Sequence, residues 1–487
     1  MDELWAQRLR KLEGLRALGL DPYPIQTDRT HTAAEAVRIA ENQPDADRGE
    51  PVIVVGRLVA FRDMGRAAFG DVRDGSGTIQ VLFRSNALSD WFEHLKLLDL
   101  GDFVECSGTT IRTRTGQPTV AVTAWKPLAK AMRAPPEKYH GLTDAEARQR
   151  RRYLDLIANE ETRTVFQVRS KAVSAIRRFL DSRGFLEVET PILQESAGGA
   201  AARPFFTRFN ALDEDRALRI SLELHLKRMV IGGFDRVYEL GRIFRNEGID
   251  TRHNPEFTML ETYQAYADYR DVANMVESMI ATVAEESTGK TTFRFRDSEI
   301  DVTPPWPRLG FAEALEELGD INLHKLDEPE PLRAELSRRG LNPEPGAGYG
   351  KLADLAMSHY VEPKLIQPTF LLDYPVELSP LAKRKPDDAR FVERFEVFIG
   401  GFETGNAYSE LNDPIEQRER FQEQLKLRDA GDEEAELVDD DFLFALEHGM
   451  PPTGGFGMGI DRLLMILTER DSIRDVILFP QHRSEHP

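Results

Sequence analysis

Residues 239–266, written ELGRIFRNEGIDTRHNPEFTMLETYQAY, constrain the fold more than any other stretch of the chain. Apolar residues alternate with polar ones in the two outer parts, and the middle part, residues 247–255, is rich in charged and amide side chains. Alternation with a period of two is typical of a β-strand with one buried face. The stretch therefore predicts a β-hairpin whose loop carries polar groups.

One face of this hairpin carries polar and aromatic side chains instead of a core. With the loop at residues 247–255, Arg245 lies opposite Phe257, and the odd-numbered Glu261 and Tyr263 share their face. A guanidinium suits bidentate recognition of phosphate or carboxylate, and the ring could stack on a base. An exposed hairpin with incidental ion pairs would explain each residue alone but not the combination. The even-numbered face is predicted to be core, through Leu240, Phe244 and Leu260.

A second hairpin is predicted over residues 393–413, ERFEVFIGGFETGNAYSELND, with Gly400 and Gly401 as its two-residue turn. Glu396 and Glu403 then lie on one face at diagonal positions, roughly 7–8 Å apart between Cα atoms. Two carboxylates at that distance can share divalent cations, and Mg²⁺ typically binds one or two carboxylates together with substrate phosphates. The alternative is two unrelated exposed glutamates. Downstream, further acceptors alternate in step on one face: Asn406, Tyr408 and Glu410.

Residues 453–469, TGGFGMGIDRLLMILTE, predict a glycine-rich strand that leads into an amphipathic helix. Gly455, Gly457 and Gly459 would let a ligand approach the backbone closely. Arg462 lies in the first helical turn, where the helix dipole disfavours a cation, so a nearby anion would explain it. By itself such a glycine string is weak evidence, and its spacing differs from that of the dinucleotide-binding fingerprint.

The first part of the chain predicts a small barrel. A helix is predicted over residues 2–18, and residues 51–128 contain five short strands separated by glycine turns, with a helical insert near residues 86–98. This pattern is typical of a closed barrel of the OB type. The basic stretch that follows is usually a solvated helix face, and beside a nucleic-acid-binding barrel it could instead contact phosphate.

The rest of the chain alternates between helices and strands. Residues 160–183 predict a helix that ends before Gly184, and residues 185–193 predict the next strand. Residues 320–350 show no informative pattern, and the acidic residues 429–441 are expected to form an exposed connection. The length of 487 residues requires more than one domain. We therefore expect a first domain over residues 1–140, a linker over residues 141–160 and a second domain over residues 161–487.

Composition excludes several classes of protein. The net charge of −20 is carried by residues 151–487, because acidic and basic residues balance over residues 1–150, and it does not exclude a local groove for nucleic acid. No apolar run approaches a membrane span, and the charged start MDELWAQRLRKLE lacks the apolar part of a secretory signal. The single cysteine, Cys106, excludes a disulfide framework and a cysteine-based zinc site, and it favours a reducing cytoplasm.

Taken in order, the motifs resemble those of the class II aminoacyl-tRNA synthetases and, within subclass IIb, those of the lysyl-tRNA synthetase family. The similarity spans nearly the whole chain: GLDPYP, the barrel, RRYLDLI, GFLEVETPIL as motif one, FRNEG with RHNPEFTMLE as motif two, YSELND, and GMGIDRL with RDVILFP as motif three. Each motif alone would be only suggestive. Chance agreement on the ordered set is negligible.

The resemblance implies an α+β fold, with an N-terminal OB-fold that binds the anticodon and a catalytic domain built on a six-to-seven-stranded antiparallel sheet flanked by helices. Motif one would form a homodimer interface that includes the helix before Gly184 and Pro191. The implied enzyme activates L-lysine with ATP to lysyl-adenylate and pyrophosphate, with Mg²⁺ as cofactor at up to three ions per subunit. It then transfers lysine to the 3′ end of tRNA(Lys) during translation.

The resemblance also assigns residues to roles. The implied ATP-binding residues, of which the two arginines are catalytic, are Arg245, Glu247, His253, Phe257 and Arg462. The implied lysine-binding residues are Gly199, Glu223, Glu261, Tyr263, Asn406, Tyr408, Glu410 and Gly457. The implied Mg²⁺ ligands are Glu396 and Glu403, and the implied anticodon-binding residues are Arg62, Phe69 and Gln80. For Phe69, a place in the barrel core is the alternative.

Three other hypotheses stay open from the sequence. A sister enzyme for aspartate or asparagine would need cationic groups around the substrate side chain, which Glu261 and Glu410 argue against. A catalytically silent paralogue that only binds tRNA predicts the loss of Arg245, Glu403 or Arg462, and all three are present. A truncated relative that attaches lysine to a protein is disfavoured by the presence of the barrel.

Overall fold

The computed structural model describes residues 3–43, 49–136, 142–196, 198–200, 202–429 and 438–484. The chain divides into two compact units, Met1–Thr143 and Asp144–Pro487. The acidic stretch for which we expect an exposed connection lies largely outside the described residues. Within the described ranges, no helix is long and apolar enough to cross a membrane.

The first unit contains a closed barrel, which in the described residues has five strands in the order β1-β2-β3-β5-β4. Its elements in chain order are α1 (Glu3–Ala17), α2 (Ala33–Asn42), β1 (Pro51–Asp63), β2 (Ala67–Arg73), β3 (Thr78–Arg84), α3 (Ser85–Leu88), a 3₁₀ helix (Ser89–Leu97), β4 (Phe103–Arg112) and β5 (Pro118–Ala129). The predicted first helix, the five strands and the helical insert are all confirmed.

Side-chain alternation places the barrel core on the inside. In β2, Ala68 and Val72 are buried, whereas Phe69 and Asp71 between them are only partly buried. The barrel closes because β3 pairs in parallel with β5, while the other neighbouring strands are antiparallel. This closure leaves no open sheet edge in the barrel.

The second unit is an α+β domain built on a large sheet. Its elements are α4 (Ala145–Arg150), α5 (Arg152–Ala158), α6 (Glu160–Asp181), β6 (Leu186–Glu187), β7 (Leu193–Gln194), β8 (Phe206–Phe209), β9 (Glu214–Leu218), α7 (Glu223–Ile231), β10 (Arg236–Phe244), β11 (Glu256–Ala265), α8 (Tyr269–Thr288), β12 (Thr292–Phe295), β13 (Ser298–Asp301), β14 (Arg308–Gly310), α9 (Phe311–Gly319), α10 (Pro329–Arg338), α11 (Tyr349–Tyr360), β15 (Thr369–Pro375), β16 (Phe391–Ile399), β17 (Phe402–Ser409), α12 (Pro414–Asp429), α13 (Asp440–Leu446), β18 (Thr453–Gly459), α14 (Ile460–Leu467) and α15 (Ile473–Val476).

The large sheet is mixed, which corrects the expected antiparallel sheet of six or seven strands. In the described part of the chain it has eight strands in the order β14-β15-β16-β17-β18-β11-β10-β6. The six central strands are antiparallel, whereas the edge strands β14 and β6 pair in parallel with their neighbours. These edge strands have three and two residues, too few to show alternation in the sequence.

Different elements cover the two faces of the sheet. Leu260 is fully buried and lies in the main core, to which α6 contributes Ile176 and α8 contributes Val276. On the opposite face, Ile243 and Tyr263 pack with residues of α7 and α13. Helices α9, α10 and α11 form a third cluster with β15, so the uninformative region at residues 320–350 belongs to a helical layer.

The predicted core face of the first hairpin is only partly confirmed. Leu260 is buried and Leu240 packs against the main core while remaining partly exposed. Phe244, the last residue of β10, is half-buried and lies outside that core. A strand end has fewer neighbours than its centre, so the apolar alternation continues one residue beyond the core.

The register of this hairpin differs by two residues from the predicted one. Ile243, not Arg245, lies opposite Phe257, and the backbone N–H of Arg245 donates to the carbonyl of Pro255 at 2.8 Å. The loop therefore spans residues 246–254, shifted by one position from the predicted residues 247–255. A shift of two residues keeps every side chain on its face, so Arg245 and Glu261 still share one face.

The second hairpin turns at Gly400 and Gly401 as predicted, and both glycines have positive φ, +70° and +79°. A β-bulge then changes its register, because Phe398 lies opposite Glu403 whereas Glu396 lies opposite Asn406. The predicted diagonal between the two glutamates is therefore wrong by one residue. Since two consecutive residues of β17 are buried at the bulge, the alternation resumes with Asn406 facing the same side as Glu403.

The segments around motif one also depart from the prediction. The helix α6 and the positive φ of Gly184, +76°, agree with it, but the strand predicted over residues 185–193 is divided into β6 and β7. Between them, Thr190 donates its backbone N–H to the Glu239 carboxylate at 3.0 Å, and Pro191 has no N–H to donate. The backbone at Thr190 and Pro191 therefore interrupts the strand, although Val188 before it still donates to the carbonyl of Tyr238 at 2.9 Å.

The basic stretch before α6 forms the short helices α4 and α5. Arg152 is buried with 2% of its surface exposed, pairs with Asp155 at 2.8 Å and donates to the carbonyl of Leu478 at 3.2 Å. Arg148 also pairs with Asp155, at 2.8 Å. The expectation of a solvated or phosphate-binding face is therefore wrong for Arg152, which holds the C-terminal segment in place.

Candidate active site

Two neighbouring cavities open on the face of the sheet that carries the odd-numbered residues of β11. The acidic cavity, of about 480 Å³, is lined by Glu223, Glu261, Glu377, Glu396 and Glu403 together with neutral and basic residues. The basic cavity, of about 140 Å³, is lined by Arg245, Arg252, His253 and Arg462 among others. The two cavities share lining residues, namely Arg245, Met259, Glu403, Asn406 and Gly457.

Arg245 lies at the junction of the two cavities. Its Nε donates to the carbonyl of Ile220 at 3.3 Å, and its guanidinium lies 5.4 Å from the centre of the Phe257 ring. Among the described residues, no carboxylate forms a salt bridge with it. Burial lowers the pKa of Arg245, although a guanidinium stays charged at any physiological pH. A charged, unpaired guanidinium between two cavities is suited to an anion that reaches both.

Arg462 is held at the far side of the basic cavity by β17 and the motif-two loop. Its Nη1 donates to the backbone carbonyl of Glu403 at 2.7 Å and lies 3.4 Å from the Glu403 carboxylate. Its Nη2 lies 3.2 Å from Nε2 of His253, whose Nδ1 contacts Asp250 at 2.8 Å. Together with Arg245 and Arg252, these residues give the basic cavity three guanidinium groups and an imidazole.

The residue before Arg462 fixes the start of α14, and the sequence reasoning missed it. Asp461 has 1% of its surface exposed, accepts the backbone N–H of Thr258 at 2.7 Å and forms a short ion pair with Arg169 of α6. Arg169 also donates to the Thr258 hydroxyl at 3.0 Å. This network ties the motif-three helix to the motif-two strand, so Arg462 and Phe257 keep their relative position.

Glu261 is a buried carboxylate in the wall of the acidic cavity. Its Oε1 accepts the hydroxyl of Ser221 at 2.9 Å and the backbone N–H of Leu222 at 2.8 Å, and its Oε2 accepts the hydroxyl of Tyr263 at 3.2 Å. Burial and the nearby charge of Glu223 raise the pKa of Glu261 to about 7. The hydrogen bonds fix the carboxylate, and its pKa is raised mainly because burial disfavours the charged form.

Glu410 lies just behind the wall of the acidic cavity, next to Gly455. Its Oε2 lies 2.5 Å from Nζ of Lys227 in an ion pair, and neither of its carboxylate oxygens has a hydrogen-bond partner among the described residues. Burial and the charges of Glu223 and Glu261 raise the pKa of Glu410 to about 8 against the opposing effect of Lys227. A Cβ at position 455 would lie only 2.0 Å from Oε1 of Glu410, so only glycine fits there.

Lys227 was not singled out in the sequence, although it lies four residues after Glu223 and therefore on the same face of α7. It is fully buried, and its Nζ contacts Glu223 at 2.6 Å as well as Glu410. In the part of the chain that the structure describes, the buried groups at this end of the acidic cavity are thus three carboxylates, of Glu223, Glu261 and Glu410, and one ammonium. When all four groups are ionised, the excess is two negative charges, which favours a ligand with two positive charges.

The two predicted metal ligands line the same acidic cavity. Glu396 is 2.5 Å from Arg394, and burial together with the charge of Glu403 raises the pKa of Glu396 to about 7. Within the described ranges, no group of three or more His, Cys, Asp or Glu residues could hold a metal ion by itself. Two carboxylates that repel each other fit Mg²⁺ when substrate phosphates complete its ligands.

The first unit carries the predicted anticodon-binding residues on the outside of its barrel. Arg62 of β1 is exposed and lies opposite Phe69 of the neighbouring strand β2. The side-chain carbonyl of Gln80, on β3, accepts a hydrogen bond from the Thr119 hydroxyl at 3.0 Å. Phe69 is only partly buried and is absent from the barrel core in the described residues. These positions form one outer surface over three adjacent strands.

The comparisons with known proteins follow the same division of the chain. A family described as tRNA synthetases class II (D, K and N) matches residues 144–483, and an OB-fold nucleic acid binding domain matches residues 52–128. The first match covers more than half of the chain. The chain belongs to the class II tRNA synthetases.

Relatives of this class II synthetase are similar over their whole length. A lysine–tRNA ligase of Dehalococcoides mccartyi (strain ATCC BAA-2266 / KCTC 15142 / 195) is 53% identical over 98% of this chain and 96% of its own. A lysine–tRNA ligase of Roseiflexus castenholzii is 53% identical over 99% of both chains. One of Pelotomaculum thermopropionicum is 50% identical over 99% of this chain and 95% of its own.

The structure brings the predicted site residues of the synthetase together. The five predicted ATP-binding residues all line the basic cavity: Arg245, Glu247, His253, Phe257 and Arg462. Seven of the eight predicted lysine-binding residues line the acidic cavity: Gly199, Glu223, Glu261, Tyr263, Asn406, Tyr408 and Gly457. The eighth, Glu410, lies behind Gly455. Their roles remain predictions, because proximity alone does not assign a ligand.

Proposed function

We propose that this class II synthetase is a lysine–tRNA ligase, which forms lysyl-adenylate and pyrophosphate from L-lysine and ATP and then transfers lysine to the 3′ end of tRNA(Lys). The charge imbalance of the acidic cavity beside a basic cavity supports this proposal most directly. The full-length relatives are lysine–tRNA ligases, which agrees with it. An amino acid with two ammonium groups would balance the excess charge, while its carboxylate reaches Arg245.

The proposed binding mode follows from the contacts at each end of the acidic cavity. The ε-ammonium of lysine would lie near Glu261, Tyr263 and Glu410, and its α-amino group near Glu223 and Gly199. A compact ammonium must be desolvated and then given acceptors, and the free Oε1 of Glu410 is such an acceptor. Asn406 and Tyr408 line the enclosure.

In the proposed first step, the lysine carboxylate attacks the α-phosphorus of ATP in line and pyrophosphate leaves. The nucleophile is already ionised, so a dedicated general base is not required. Arg245 would contact both the lysine carboxylate and the α-phosphate, and Arg462 would neutralise charge on the departing phosphates. The ring of Phe257 would stack on adenine, with Glu247 and His253 as further ATP contacts. Glu396 and Glu403 would hold Mg²⁺, which supplies positive charge against the phosphates.

In the proposed second step, a ribose hydroxyl at the 3′ end of tRNA attacks the acyl carbon of lysyl-adenylate, its proton passes to a phosphate oxygen of the adenylate, and AMP leaves. The same guanidinium of Arg245 would hold the phosphate of the leaving group. Positioning and charge neutralisation therefore account for both steps of the reaction.

The rival substrate is aspartate, because the matched family includes enzymes denoted D and N as well as K. The side-chain carboxylate of aspartate would add a third negative charge to a buried region whose ionised carboxylates already exceed its ammonium group by two. Burying like charges without partners is strongly unfavourable. The three buried carboxylates therefore favour lysine.

ATP–pyrophosphate exchange with each of the twenty amino acids separately tests the proposed function. We expect lysine alone to stimulate exchange strongly, and aspartate and asparagine to have no effect. Exchange stimulated by aspartate would overturn the substrate assignment. Absence of exchange with every amino acid would overturn the proposed activity itself.

The raised pKa values predict that lysine binds better at higher pH. Glu261 and Glu410 titrate near 7 and 8 in the free protein, so below pH 7 both hold a proton that the ligand must displace. We expect the lysine KM in exchange at saturating ATP to fall at least about tenfold between pH 6 and pH 8.5. Calorimetry in two buffers of different ionisation enthalpy should show proton release on lysine binding.

The same two groups act on stability with the opposite sign. Because their folded-state pKa values lie above the ordinary value of 4.5, the ligand-free protein gains stability from protonating them as the pH falls from about 8.

In the experiment on the lysine KM, the ATP KM is measured in parallel as the control for general effects of pH. A lysine KM that does not change over this range would contradict the proposed ammonium site.

The outer surface formed by Arg62, Phe69 and Gln80 is proposed to bind the anticodon. Unpaired bases are commonly recognised by aromatic stacking and by hydrogen bonds to base edges. We expect Phe69→Ala to raise the KM for tRNA in aminoacylation about tenfold or more, since stacking contributes roughly 1–3 kcal/mol per base. ATP–pyrophosphate exchange should stay unchanged.

Phe103→Ala is the matched control for this prediction. Phe103 is also partly exposed on the barrel, but it lies on β4. The guanidinium of Arg57 lies 4.4 Å from the centre of the Phe103 ring. This variant should leave the tRNA KM within about twofold of the wild-type value. Equal effects of both substitutions would remove Phe69 from the anticodon site and indicate a loss of barrel stability instead.

We also propose that the enzyme is a homodimer that acts in the cytoplasm. The regions around motif one expose several large apolar side chains: Leu186, Ile192, Leu193, Phe206 and Phe234. Exposed apolar groups of this size on neighbouring segments often mark a protein–protein interface. The single, buried Cys106 supports a reducing compartment.

A further inference from the structure

Lys227 has no role in the proposed contacts with lysine, and yet it is a buried charge at the end of the acidic cavity. Its side chain is fully inaccessible, lies 5.8 Å from the centre of the Phe442 ring and contacts Glu223 and Glu410 at 2.6 and 2.5 Å. Burying an ion pair often stabilises a protein no more than an apolar replacement of similar volume. A merely structural explanation of Lys227 is therefore weak.

Lys227 contacts one of the two carboxylate oxygens of Glu410, and the other oxygen lies nearer to the cavity. The ion-pair contact of Lys227 is with Oε2, and neither oxygen of Glu410 accepts a hydrogen bond in the described part of the chain. Oε1 lies beside the backbone of Gly455, which lines the acidic cavity. By contacting Oε2, Lys227 orients Oε1 toward Gly455 and the acidic cavity, in which the ligand would bind.

Lys227 also connects carboxylates from two different elements. Glu223 begins α7, whereas Glu410 follows β17, and both are proposed to bind the same substrate at different amino groups. The hydrogen bond from Nζ to Glu223 and the ion pair with Glu410 fix the distance between them. Without the ammonium, two buried carboxylates would repel each other.

We propose that Lys227 is a positioning residue for lysine: it fixes Glu223 and Glu410 and leaves the pocket with an excess of two negative charges, which matches a substrate with two ammonium groups. This inference rests on the proposed function. Among the described residues, the charged and titratable groups that line the acidic cavity are Glu223 of α7, Arg245, Glu261 and Tyr263 of β11, Lys351 of α11, Glu377, Arg394 and Glu396 of β16, and Glu403 and Tyr408 of β17, and Lys227 and Glu410 lie behind its wall.

The test is Lys227→Met, which keeps the length and apolar stem of the side chain and removes the charge. Three carboxylates then remain without an internal cation, and at neutral pH they take up protons that lysine must displace. We expect the lysine KM in exchange to rise about 100-fold, with the ATP KM within about threefold of wild type. The pH at which the lysine KM reaches its minimum should move upward.

Lys130→Met is the matched control, because Lys130 is also a buried ammonium that bridges two carboxylates. Its Nζ contacts Asp99 at 2.6 Å and Asp102 at 2.7 Å, in the barrel unit. Thermal unfolding of both variants reports the structural cost of removing such a bridge. If Lys227→Met lowers the melting temperature as Lys130→Met does but leaves the lysine KM and its pH profile unchanged, the inference is overturned.

Lys227→Arg keeps the test decisive if the methionine variant does not fold. The arginine retains the positive charge, so we expect it to keep the wild-type pH profile of the lysine KM while raising the KM itself, because a guanidinium is larger than an ammonium. A shifted pH profile in this variant would contradict the charge role. Failure of the wild-type protein to use lysine would instead refute the proposed function, so the two failures are distinguishable.

Discussion

Replacing Glu410 by glutamine is expected to raise the lysine KM in ATP–pyrophosphate exchange about 100-fold or more, with the ATP KM changed by less than about threefold. Removing one partner of a buried charge pair typically costs about 2–5 kcal/mol, and here the partner is the ammonium of the substrate. Steady-state kinetics at saturating concentrations of the other substrate separate the two KM values.

The Glu410→Gln variant should fold normally, which makes its kinetics interpretable. The pKa of Glu410 is raised to about 8, so near neutral pH the free protein already holds a proton on this carboxyl for much of the time, and glutamine mimics that state. The variant should also have a flatter pH profile for lysine, because one of the two titrating groups is gone.

Glu447→Gln is the control for this substitution. Glu447 lies just after α13 and pairs with Arg418 at 3.1 Å, with about half of each side chain exposed. An exposed pair contributes little, so neither KM should change. If Glu410→Gln raises the lysine and ATP KM values equally, Glu410 does not belong to the ammonium site.

The odd and even faces of the first hairpin could be read from the sequence, but its register could not. Alternation identifies which residues share a face, and a shift of two positions leaves that assignment unchanged. The register depends on which residues form the loop, and the contact of Arg245 with Pro255 places the loop at residues 246–254, one position before the predicted one. The grouping of Arg245, Phe257 and Glu261 is therefore robust, whereas their cross-strand partners are not.

The β-bulge in the second hairpin shows a different limit. Gly405, a glycine inside the strand, is a residue type that often marks a bulge, but it does not say which neighbouring residue is the extra one. Alternation counted from the turn therefore gives the wrong partner for Glu396. The bulge still leaves Glu396 and Glu403 in one cavity, so the predicted pairing of carboxylates holds while its geometry changes.

Partners distant in sequence account for most of what the sequence could not predict. Lys227 contacts Glu410 across 183 positions, and Arg169 contacts Asp461 across 292 positions. Only the contact from Lys227 to Glu223, four residues away on one helix, leaves a local signal. The chemistry of the site could be predicted from residue types, but its charge balance required the fold.

Replacing Arg245 by alanine is expected to lower kcat for ATP–pyrophosphate exchange about 1,000-fold, the largest effect on turnover among these variants. Removing one preorganised donor from a developing charge typically costs about 2.7–4 kcal/mol, and Arg245 is proposed to contact both reacting groups. Arg245→Lys should recover only part of the rate, since an ammonium cannot reproduce a bidentate contact. Single-turnover measurement of adenylate formation separates chemistry from product release.

Arg242→Ala is the matched control, because it removes an arginine three residues earlier, on β10, that lies outside both cavities. Arg242 pairs with Glu256 at 3.0 Å and donates to the Thr258 hydroxyl at 3.2 Å, so its loss disturbs β10 and β11 without touching either cavity wall. We expect its kcat to stay within about threefold of wild type. If Arg245→Ala retained wild-type kcat and only raised both KM values, Arg245 would bind the ground state alone, and charge neutralisation during adenylate formation would have to come from Arg462.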